Sequence, residues 1–149
     1  MIKSLGIIIA ATAILSANEN PKGVEGLSKE TRALLADEMK HIEKGMHHIF
    51  SSIVKGEYEE ISKTATDIHN SFIFAQSLTE TQRAELKANL PQGFIDLDRS
   101  FHAAAAKLSE AAEFEDKAAV EENFSTMTGL CVQCHSTYAA QRFLSLIHI

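Results

Sequence analysis

Residues 28–56 read SKETRALLADEMKHIEKGMHHIFSSIVKG. Ser28 is a good helix N-cap, with Lys, Glu and Thr behind it. Apolar residues then recur at Leu35, Met39, Ile42, Met46, Ile49 and Ile53. Steps of four and three alternate without a break, which is the seam of a helix that buries one face against other helices. Gly56 after Lys55 is a natural stop. A single long amphipathic helix cannot cover its own apolar stripe, so the rest of the chain has to supply partners.

The same rhythm returns three times. Ile61, Ala65, Ile68, Phe72 and Ala75 mark a second helix beginning near Glu57. Phe94, Leu97, Phe101, Ala104, Leu108 and Ala111 mark a third. Val120, Phe124, Met127, Cys131, Cys134 and Tyr138 mark a fourth, expected from about Asp116 to beyond Phe143. Between the second and third, Thr79 and Gln82 form a capping box that predicts a short helical piece from Glu80 to about Asn89, broken by Pro91 and Gly93. No strand-like alternation is sustained. The expected fold is therefore all-α, an antiparallel four-helix bundle.

Chemistry is concentrated at Cys131-Val-Gln-Cys134-His135. Cys-x-x-Cys-His is the attachment signature of c-type haem, with two thioethers to the porphyrin and the imidazole as an axial iron ligand. On a helix these residues are i, i+3 and i+4, so one face presents all three. The competing readings are weaker. A zinc site at these thiols lacks a second cysteine pair. A thioredoxin-like dithiol would sit beside a βαβ pattern, which is not visible. A disulfide between the only two cysteines is left open by counting. One haem near one end of the bundle is the expectation.

In an up-and-down bundle the first and fourth helices run antiparallel and can be neighbours. Counting from the start of one and the expected end of the other places the level of His135 near residue 40. Met39, on the seam, is the candidate second axial ligand, because a thioether is a soft neutral donor that suits haem iron. Met46 on the same seam, the flanking His41, His47 and His48, and an open iron position are the alternatives. A seam methionine is also an ordinary core residue. His69 and His102 read as boundary residues with satisfied hydrogen bonds, and the acidic groups Glu57–Glu60 and Glu113–Asp116 as helix N-terminal charges.

Residues 1–17 read as a secretory signal, with Lys3 followed by the apolar run Leu5–Ala17 and cleavage after Ala17. That run is shorter than the roughly 20 residues that span a bilayer, so membrane anchoring is not expected. Residues 18–27, with Pro21, Gly23 and Gly26, form a flexible lead-in. Residues 28–149 make the one domain. The chain has 149 residues and 14 Lys and Arg against 20 Asp and Glu, a formal net charge of −6. Removing Lys3 with the signal makes the mature chain more acidic still. No basic stripe points to nucleic acid, and an acidic surface permits steering toward a basic redox partner.

With an export signal, four helices and one Cys-x-x-Cys-His late in the fourth, the chain resembles the cytochrome c′ superfamily over about residues 28–143. Tyr138, an aromatic three residues after His135, and the Lys55-Gly56 turn are similar to the family pattern. Ala139 stands where the family usually has Arg, with Arg142 three residues further on. The resemblance implies covalent haem c, a periplasmic location and exported redox partner proteins. Homodimerisation through the first two helices is common in the family, and this sequence does not decide it. Low-spin members carry a Met ligand in the first helix, and high-spin members carry an apolar residue over the iron. Met39 favours the low-spin branch and one-electron transfer rather than enzymatic turnover. A five-coordinate form binding nitric oxide or carbon monoxide is the alternative.

Overall fold

The computed structural model describes residues 23–73, 76 and 78–143. The expected signal and part of the lead-in lie outside the described residues, as does the tail from 144 on. A 3₁₀ turn, Gly23–Gly26, precedes five α-helices: α1 Lys29–Lys55, α2 Tyr58–Asn70, α3 Glu80–Asn89, α4 Gln92–Glu113 and α5 Lys117–Tyr138. The four-helix bundle is made by α1, α2, α4 and α5.

Local chemistry sets the helix ends. Ser28 Oγ accepts the Thr31 amide at 3.2 Å. Gly56, at φ 72°, takes the left-handed conformation and sends its amide back to Ile53 O, a geometry that suits glycine because it has no Cβ. Thr79 and Gln82 close the expected capping box at 3.2 and 2.9 Å. Asp116 accepts the Ala119 amide at 3.1 Å. Glu85 of α3 bonds the Ser28 amide, the Ser28 hydroxyl and the Thr31 hydroxyl, which ties the short helix to the first turn of α1.

Cross-helix contacts fix the directions. On α2 and α4, Ser62 and Thr66 both meet Ser109, at 3.0 and 2.8 Å, while Ile68 and His69 meet His102. Advancing along α2 means retreating along α4. His48 of α1 faces Glu60 of α2, and Gly45 faces Ile68 and Thr64. A Cβ at Gly45 would come within 2.8 Å of Ile68 Cδ1, so the missing side chain lets α1 and α2 approach closely. Phe94 at the start of α4 meets Tyr138 at the end of α5, ring centroids 5.6 Å apart.

Two buried clusters result. The larger runs along the bundle through Ile42, Ile49, Ile61, Ala65, Ile68, Phe101, Leu108, Val120 and Met127. The smaller gathers Leu27, Leu35, Ile73, Leu86, Leu90 and Phe94 around α3 at one end. Leu108 is fully buried in the larger cluster. Leu108→Ala is expected to cost about 2–5 kcal/mol, the transfer term plus the cavity left behind. Urea unfolding checks it through a lower midpoint at unchanged slope.

Two expected boundaries are corrected. The second helix stops at Asn70, before Phe72 and Ala75, because Ser71 caps it and its hydroxyl bonds Ile68 O at 2.9 Å. The fourth helix stops at Tyr138 rather than passing Phe143. Residues 139–142 turn instead, with the Arg142 amide bonding Ala139 O.

Candidate haem site

A cleft between α1, α4 and α5 is lined by Met39, Ile42, Leu97, Asp98, Phe101, Leu130, Cys131, Cys134 and His135. It lies where the two buried clusters meet: Cys131 packs on the larger, Cys134 on the smaller, and Met39 on both. Apart from Cys131, Cys134 and His135 themselves, the walls are apolar except for Asp98. Helical spacing brings both thiols and the imidazole of α5 to this one opening, while Val132 and Gln133 between them are exposed.

One ring contact sets the level of α1 against α5. Phe50 and Phe124 lie with centroids 6.4 Å apart. Eleven residues before Phe50 is Met39, and eleven after Phe124 is His135. Eleven residues make three helical turns almost without remainder. In an antiparallel pair, Met39 and His135 therefore return to the same level and to the faces that carry the two rings. The level estimated from the helix ends assumed a longer fourth helix; the ring contact puts Met39 and His135 at one level without that assumption.

A family model for cytochrome c′ matches residues 27–139, which include the whole cleft. The chain belongs to the cytochrome c′ family. It is thus a c-type haem cytochrome. A search of curated proteins and of solved structures finds no match.

The residues at the cleft fit the group this family carries. The two cysteines are not joined in a disulfide, so both sulfurs would be available for thioether bonds to a haem. Burial pushes the Cys131 thiol up and, with the Asp98 charge, pushes Cys134 up to about 11. Such thiols are not the low-pKa thiolates of a dithiol redox centre. Burial first, and then the Arg142 charge, lower the pKa of His135. A neutral imidazole with a free lone pair is what an iron ligand requires. Phe143 stacks on the His135 ring at 4.4 Å.

The alternatives for the second ligand are placed differently. His41, His47 and His48 are exposed, and His48 faces Glu60. Met46 packs on the larger cluster and is not among the cleft residues.

The sequence reading underrated one histidine. His102 is buried at 3 % exposure, against Glu38 at 4 % and Asp98 at 7 %. Its Nδ1–H donates to Ile68 O at 2.7 Å. Nε2 points at both carboxylates, 3.4 Å from Glu38 Oε1 and 3.6 Å from Asp98 Oδ1. Burial opposes a charge on this imidazole, yet Asp98 and Glu38 outweigh it and raise the pKa to about 9. Burial likewise raises the pKa of Glu38. The sequence signal available was weak: Asp98 and His102 stand four apart, but Glu38 is on another helix and off the apolar seam. His69, by contrast, is exposed, with Nδ1 bonded to His102 O.

Proposed function

We propose that this cytochrome is a periplasmic one-electron carrier. Its single haem would be attached through Cys131 and Cys134 and ligated by His135 and Met39. The observation that carries the reading is the shared level and shared cleft of Met39 and His135 on facing helices. A haem held there supplies one-electron iron chemistry, and a His/Met pair favours a raised potential. The imidazole and the thioether both come from long helices. Neither ligand has to move far when the charge changes, and no axial position is left for a substrate. The apolar walls exclude water and so tune the potential. The acidic chain suits encounter with a basic exported redox protein.

Visible spectroscopy of the purified protein tests the reading. A low-spin ferric spectrum with the far-red thioether–iron band, and a ferrous spectrum indifferent to carbon monoxide, are expected. A high-spin ferrous spectrum that changes on adding carbon monoxide would assign the protein to gas binding instead.

A further inference from the structure

The Glu38, Asp98 and His102 side chains converge from α1 and α4 on one point inside the bundle, with one donor atom of each within 4.8 Å of the others. All three residues are more than nine-tenths buried. By strict geometry neither Glu38 oxygen, nor Asp98 Oδ2, nor His102 Nε2 makes a hydrogen bond, with the Ile73 amide near enough to favour the Glu38 charge. Buried polar atoms in such number are costly unless something else satisfies them. We propose that these three residues form a second metal site, holding one divalent transition ion of the zinc class.

A metal ion would replace the proton that the two carboxylates otherwise hold on Nε2. The observed separations from Nε2 are 3.4 and 3.6 Å. Ligands at about 2.0–2.1 Å from a tetrahedral ion stand roughly 3.3–3.4 Å apart, which the two His102 edges approach, while the two carboxylates lie within 4.8 Å of each other. The donor set fits as well, since one imidazole and two carboxylates suit zinc or manganese, and two negative charges neutralise a dication. The outer contact has the usual form for a ligating histidine: Nδ1–H is tied to the Ile68 carbonyl, which fixes the tautomer and leaves Nε2 as the donor. Phe72 and Phe101 flank the ring, each with its centroid 5.4 Å away, and hold its plane. Asp98 also lines the cleft, which gives an ion a way in before the haem is attached. Three protein ligands leave a fourth position for water.

The test uses haem-loaded protein from cells grown with added zinc, stripped of loose metal on a chelating resin. Iron and zinc are then counted by mass spectrometry. One zinc per iron is expected, falling at least tenfold in His102→Gln and in Glu38→Gln with the iron count unchanged. Wild-type protein with iron alone overturns the proposal. Zinc retained by both variants also overturns it, because the exposed His41, His47 and His48 would then be the binders. Should the variants not accumulate, zinc-edge X-ray absorption of the wild type decides. One nitrogen with oxygen neighbours near 2.0–2.1 Å supports the site, and a shell of several imidazoles or of sulfur overturns it.

Discussion

Replacing Met39 by alanine is expected to turn the ferric protein from low spin to high spin, with loss of the far-red thioether–iron band. The substitution removes the only thioether among the cleft residues and leaves Ile42, Leu97, Phe101 and Leu130 as walls. None of these four can ligate iron, and Asp98, the other polar wall residue, would offer only a weak-field carboxylate that leaves the iron high-spin. The histidines of α1 are exposed and do not line the cleft. The reduction potential is expected to fall on the order of 0.1 V, a modest part of the roughly 0.8 V over which axial ligands set haem potentials. Carbon monoxide then binds the ferrous form, where the wild type resists it. Met46→Ala is the matched control. It removes the same side chain from the same helix face but from the larger core cluster, so the spectrum is expected to stay low-spin. A Met39→Ala protein that remains low-spin would show that another side chain holds the sixth position. The three-turn correspondence between Phe50–Phe124 and Met39–His135 would then have misled.

The bundle was legible because its signals are local. A heptad seam of six residues, a serine cap and a glycine stop define α1 without reference to anything else. The capping box at Thr79 likewise located α3. The Cys131–Cys134–His135 motif stood out because such chemistry demands fixed spacing on one helical turn, and the fold brings the three to one cleft. What the sequence hid depends on tertiary context. Phe72 continues the apolar rhythm of the second helix, yet Ser71 turns the chain. Ile73 is then buried in the smaller cluster outside any α-helix. Tyr138 ends α5 against Phe94 and Gly93, where a Cβ on Gly93 would collide with the Tyr138 hydroxyl oxygen. The seams turn Phe94 and Tyr138 inward, but periodicity does not say that they meet each other. The Glu38–Asp98–His102 group was hidden for the same reason. A polar residue beside an apolar seam reads as solvated until another helix covers it.

That buried group carries the second large effect. His102→Leu alone is expected to destabilise the folded protein by about 3–5 kcal/mol, the usual cost of removing one partner from a buried charged set. The loss is not one of volume, since leucine fills much of the space of the imidazole. It arises because Glu38 and Asp98, at 4 % and 7 % exposure, would face each other with no cation between them and no water to solvate them. Each would have to take up a proton to stay buried, and that requirement is the penalty. Replacing all three at once, as Glu38→Met, Asp98→Leu and His102→Leu, is expected to restore stability to within about 1 kcal/mol of the wild type or above it. Apolar side chains of similar size need no compensation. Urea unfolding of the three proteins side by side measures the contrast. A single variant that loses less than about 1 kcal/mol would mean that water reaches the carboxylates. A triple variant no more stable than the single would mean that packing around Phe72 and Phe101, rather than charge, sets the cost at this position.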